Sequence, residues 1–85
     1  MNKLEAEKFK SSGVDIVDPV TTYIDSSVIF KGNNITIKPN THIRGKSEIN
    51  SNCIIGPNSY VVDSLVNKNV NINFSYIENS ILENK

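Results

Sequence analysis

Large aliphatic residues return along this chain at intervals of about six, a spacing that suits neither an amphipathic helix nor a long alternating strand. Starting at Ile24, they fall at Phe30, Ile37, Ile43, Ile49, Ile55, Val61, Val66, Ile72, Ile77 and Leu82. The successive steps are 6, 7, 6, 6, 6, 6, 5, 6, 5 and 5 residues. A short fixed period signals an internal repeat. Two more columns share the register. Four residues after the aliphatic stand Val28, Thr41, Ser47, Cys53, Ser59 and Val70, which are small or slim and β-branched. Three residues after it stand Asn40, Asn52, Asn58 and Asn69. Asparagine tolerates a left-handed backbone better than most residues, and a tight corner needs that tolerance.

These columns predict that each hexapeptide forms one short strand and one corner. Three corners close a triangular coil of roughly eighteen residues, with the aliphatic and small columns inward and hydrogen bonds running from coil to coil as in a parallel sheet. About three and a half coils fit into residues 24–85. The seven-residue step places a bulge within Lys31–Asn34, and the five-residue steps after Val61, Ile72 and Ile77 indicate tighter corners. Residues 1–13 read differently. Leu4, Glu5, Ala6, Glu7 and Lys8 favour a helix, Leu4 and Phe9 give it a weak apolar stripe, and Ser11-Ser12-Gly13 stops it. Residues 14–23 form a lead-in, extended or turning at Asp18-Pro19. The ends of such a coil expose unpaired strand edges. The helical arm is placed to cap one end. Lys85 arrives in mid-coil, which reads as an interrupted solenoid.

Composition narrows the function. A chain of 85 residues holds one domain at most, and it buries too little to be very stable unaided. Its one cysteine rules out disulfides and zinc ribbons. Nine basic residues balance nine acidic ones, so no field gathers nucleic acid or anionic lipid. No apolar run is long enough to cross a membrane, and Met1–Lys10 lacks a signal-peptide core. The expected location is the cytoplasm, with neither nucleic-acid nor membrane partners.

The residues able to carry chemistry do not assemble into a site by spacing. His42, the single histidine, has Lys38 and Arg44 nearby but no identifiable catalytic partner, and it reads as a solvated corner residue. One histidine also argues against the three-imidazole metal sites of left-handed helical carbonic anhydrases. Cys53 sits in the small inward column and reads as an inert buried thiol. Gly56-Pro57-Asn58 and Gly32-Asn33-Asn34 precede no helix, so they are corners rather than phosphate loops. Asp15, Asp18, Asp25 and Glu48 show no paired-acid or EF-hand spacing. Thr21, Thr22, Thr36 and Thr41 do not form the threonine ladder of an ice-binding face. Tyr60 is expected to point outward, and an outer face with Tyr60 and Phe74 suits subunit packing better than nucleic acid. No catalytic, cofactor-binding or metal-binding residue is assigned.

The stretch from Gly13 through Asp18-Pro19 to Thr22-Tyr23-Ile24-Asp25 resembles the start of the β-helix in bacterial bifunctional UDP-N-acetylglucosamine pyrophosphorylase/glucosamine-1-phosphate N-acetyltransferase. Cys53-Ile54-Ile55-Gly56-Pro57-Asn58-Ser59 and Val61-Val62-Asp63-Ser64 are similar to that family's early coils. The hexapeptide columns themselves are common to many acyltransferases. The resemblance implies an all-β, left-handed parallel β-helix with a short N-terminal helix or arm. Handedness comes from these families, because crossovers between parallel strands are otherwise right-handed. The resembled enzyme uses acetyl-CoA and Mg. By the resemblance, its catalytic histidine and its acetyl-CoA site lie in later coils, and its glycine-rich nucleotide loop lies before this region. The expectation is a non-catalytic structural and self-association segment needing no cofactor, forming a trimer or an end-to-end dimer, with a possible separate chain carrying the missing domains. The alternative is an acetyl-CoA-dependent hexapeptide-repeat acetyltransferase completed by oligomerisation or by a separate partner chain.

Overall fold

A computed structural model describes residues 1–83. The chain opens with helix α1 (Lys3–Ser11). Asn2 caps it in a reciprocal box: the Glu5 backbone N–H donates to Asn2 Oδ1 at 2.9 Å, and the Asn2 N–H donates back to Glu5 Oε1 at 3.4 Å. Gly13 ends it with a left-handed φ of 88°.

Among the described residues twelve short strands follow: β1 (Val14–Ile16), β2 (Tyr23–Ile24), β3 (Ile29–Phe30), β4 (Ile35–Ile37), β5 (His42–Arg44), β6 (Glu48–Ile49), β7 (Ile54–Ile55), β8 (Tyr60–Val62), β9 (Leu65–Val66), β10 (Asn71–Ile72), β11 (Tyr76–Glu78) and β12 (Ile81–Leu82). A 3-10 turn, Pro19–Thr21, lies between β1 and β2. Every third strand joins the same sheet, giving the orders β1-β4-β7-β10, β2-β5-β8-β11 and β3-β6-β9-β12, all parallel. The result is a left-handed parallel β-solenoid of four turns, elongated at 33 × 22 × 20 Å.

The aliphatic column is the core. Pairing stacks Ile24, Ile43, Val61 and Ile77 in one sheet and Phe30, Ile49, Val66 and Leu82 in another. The third sheet stacks Ile16, Ile37, Ile55 and Ile72. Ile37, Ile43, Ile49, Ile55, Val61 and Val66 are completely buried, each contributing on the order of 1.5–3 kcal/mol.

Coiling starts at Val14, not Ile24. Val14 and Ile16 both face inward with Asp15 between them, an alternation too short to stand out before the 3-10 turn interrupts it. The final residues of the 24–85 expectation, 84 and 85, lie outside the described ones. The helical arm does cap the first turn: Ala6 is buried, the Phe9 and Phe30 rings meet edge-on at 5.5 Å, and the Met1 amine donates to the Pro19 and Thr22 carbonyls.

In several corners, of seven, six and five residues, a left-handed residue directly precedes the inward position: Asn34 before Ile35, Asn58 before Ser59, Asp63 before Ser64. In these, length is gained or lost ahead of the left-handed residue. In the corner before Ser47 the left-handed residue is Gly45, one residue earlier. The bulge falls at Gly32, with φ 96°, and it puts Ile35 where other turns carry Cys53 or Val70.

Candidate functional site

The sheet of β2, β5, β8 and β11 turns two columns outward, one on each side of its inward aliphatic column, and the first of them is aromatic. Pairing aligns Tyr23, His42, Tyr60 and Tyr76 at one position of successive turns. Their rings stack with centroid separations of 6.1, 5.2 and 5.3 Å and interplanar angles of 22°, 8° and 22°. The spacing follows from the strand repeat of about 4.8 Å, which sets identical positions one ring apart. His42 therefore does not sit at a corner. It lies in strand β5, half-buried between two tyrosine faces.

Beside this stack lies a polar group. The Arg44 guanidinium donates to Tyr60 Oη at 3.0 Å, lies 5.0 Å over the Tyr23 ring centroid and is 3.8 Å from Asp25 Oδ2. The Gly45 N–H donates to the same carboxylate oxygen at 2.8 Å. That amide, then the Tyr23 hydroxyl and Arg44, hold Asp25 below the usual carboxylate range. The same carboxylate pushes the Tyr23 phenol up. Glu78, whose Oε1 accepts from Tyr76 Oη at 3.4 Å, does so for Tyr76. These groups lock one another in place on an open face.

The hydroxyl column also works for the coil. Ser47, Ser59 and Ser64 donate to carbonyls in their own corners at 2.8, 3.2 and 2.8 Å. They then accept backbone N–H groups of the next turn, from Ser64, Ser75 and Ser80 respectively. Cys53 is sealed in the core, its thiol donating to the Asn67 carbonyl at 3.0 Å. Glu48 pairs with Lys31 at 3.3 Å, and Asp18 caps the 3-10 turn through Val20 and Thr21. Asp15 faces outward in β1, on a different sheet from Glu48. The corner asparagines form ladders: Asn34 donates its amide to Asn52 at 2.8 Å, and Asn40 to Asn58 at 2.7 Å.

Phe74 breaks the corner rule. Every other left-handed residue among the described ones is Asn, Asp or Gly, whereas Phe74 holds φ 48° and is 70% exposed. A non-glycine residue in this region costs about 1–2 kcal/mol. Phe74 adjoins the aromatic stack, and with Asn40, Asn58 and Tyr76 it borders an open groove of 440 Å³. The sequence marked Tyr60 and Phe74 as an outer face. It does not reveal the four-ring stack, because the spacing sets His42 at a corner and the turn-to-turn alignment of Tyr23 depends on where the first turn begins.

The molecule is thus a hexapeptide-repeat left-handed β-solenoid. Residues 32–63 match the family model described as bacterial transferase hexapeptide (six repeats). The chain is 42% identical over 73 residues to the bifunctional protein GlmU of Carboxydothermus hydrogenoformans, covering 86% of this chain and 16% of that protein. It is 41% identical over 78 residues to the bifunctional protein GlmU of Caldanaerobacter subterraneus, and 43% identical over 77 residues to that of a Thermotoga species. These cover 92% and 91% of this chain, and 17% of each relative. The chain therefore matches the hexapeptide-repeat β-helix of bacterial GlmU and spans about one-sixth of the length of the curated relatives it matches. No helix among the described residues is long and apolar enough to cross a membrane.

Proposed function

We propose that this chain is a structural and self-association segment of the GlmU-like hexapeptide class, rigid and not catalytic by itself. The observation that supports this reading is the structural employment of its reactive side chains. His42 is stacked between tyrosines, Cys53 is sealed against the Asn67 carbonyl, and Asp25 and Glu48 are tied to Arg44 and Lys31. On this reading the chain binds no cofactor of its own. Acetyl-CoA and Mg belong to the full-length enzyme it resembles. Its place is the cytoplasm, where a buried single thiol stays reduced. It works as a homo-oligomer or beside a chain carrying the remaining domains, with neither nucleic acid nor membrane as partner.

The match of residues 32–63 to a transferase hexapeptide family favours a second reading, an acetyltransferase completed by several copies or by a partner chain. Calorimetric titration of acetyl-CoA into the chain separates the two. The structural reading expects only heat of dilution. Saturable heat with a defined stoichiometry favours the transferase reading and overturns the first.

A further inference from the structure

We propose that the corner at Gly45-Lys46 is an acid-released latch: protonation of Asp25 and Asp63 frees this edge of the second turn, while the other two edges, fastened by neutral amides, stay closed.

The three edges of the rod are fastened differently. On one edge a side-chain amide bond joins Asn34 to Asn52, and on another a similar bond joins Asn40 to Asn58. Neither bond involves a group that gains or loses a proton. On the third edge the fastening is ionic. Asp25 of turn one accepts the Gly45 N–H through Oδ2 at 2.8 Å, and Asp63 of turn three accepts the Lys46 N–H through Oδ1 at 2.8 Å. Two successive backbone N–H groups of turn two are thus held by carboxylates from the turns on either side. Gly45 leaves room for this: its φ is 68°, and a Cβ there would run into the Asp63 carboxylate. A hydrogen bond to an ionised acceptor is about twice as strong as one to a neutral acceptor, so each clasp depends on its negative charge.

The surrounding groups set the direction of the effect. Asp25 faces the Arg44 guanidinium at 3.8 Å and the Tyr23 phenol. Tyr60 accepts from the same guanidinium, and His42 stacks between the two phenols. Asp63 shares an open groove with Lys46 and Glu48, and Glu48 is paired with Lys31. Glu78 leads into the same edge in turn four. The Gly45 N–H first, and then Tyr23, hold the Asp25 carboxyl below its usual range. A carboxyl held low in the folded chain stabilises the fold above its unfolded value, and that contribution is lost as pH falls through the folded value. The latch is therefore closed at neutral pH and opens below about pH 4. Once Asp25 is neutral, Arg44 loses its ion pair, so the opening reaches the aromatic column.

Amide hydrogen exchange of the full chain, corrected for the intrinsic rate at each pH, tests this in the parent, in Asp25→Asn and in Asp63→Asn. In the parent, protection of the Gly45 and Lys46 amides should fall about tenfold between about pH 6 and about pH 3. The Asn52 and Asn58 amides, which donate to the Asn33 and Pro39 carbonyls, should change by less than about threefold. Asp25→Asn should make the Gly45 amide indifferent to pH over this range, and Asp63→Asn the Lys46 amide. Unchanged protection at Gly45 and Lys46, or equal loss at all three edges, overturns the latch. So does an acid loss that persists at an amide whose accepting carboxylate has been replaced, because its source would then be a group the variants retain, such as His42 or Glu48.

Discussion

At the scale of single residues, the corners decide whether the chain can coil. Asn52 holds φ 63° and its side-chain oxygen accepts the Asn34 amide, so it serves the backbone and the ladder together. Asn52→Ala should cost about 1–2 kcal/mol from the left-handed backbone, with the lost amide contact adding to it. Asn52→Gly should recover most of the backbone part. Urea unfolding followed by circular dichroism checks this, and equal losses in both variants would show that backbone conformation is not what asparagine supplies. Gly56 is stricter still. Its φ is 100°, and a side chain there would run into Thr41 Oγ1 and Lys38. The asparagine column was legible in the sequence because few residues tolerate that backbone. Phe74 was legible as outward-facing. Its left-handed conformation was not, because nothing in a phenylalanine announces it.

At the scale of elements, strands of two or three residues are stable only through their neighbours above and below. The six-residue period exposed most of this, because an inward aliphatic must recur wherever the coil returns. Three features escaped it. Strand β1 is cut off from the repeat by the 3-10 turn. Ile35 fills a position that elsewhere is small, because the bulge at Gly32 shifts the count. The stack of Tyr23, His42, Tyr60 and Tyr76 needs the correct pairing of turns, which unequal steps of five, six and seven obscure. Helix α1 was legible from composition, and its docking follows from the open end it covers. Phe9 is half-buried against Phe30, so Phe9→Ala should lose about 1–3 kcal/mol. Amide hydrogen exchange should then quicken first in β1–β3 and least in β7–β9. Uniform quickening would mean that α1 stabilises the whole coil as one unit.

At the scale of the molecule, the fold is a rod whose inside is filled by aliphatic stacks and whose outside carries one aromatic face. The chain matches about one-sixth of the length of its GlmU relatives, and the side chains most suited to chemistry are occupied in holding turns together. The central claim is that this segment shapes and associates rather than catalyses. Its most direct test is turnover: the purified, folded chain is given acetyl-CoA and glucosamine-1-phosphate, and free thiol release is followed over a range of chain concentrations. The account predicts a rate indistinguishable from buffer at every concentration. Release that rises in proportion to the chain, and survives repurification, would contradict it.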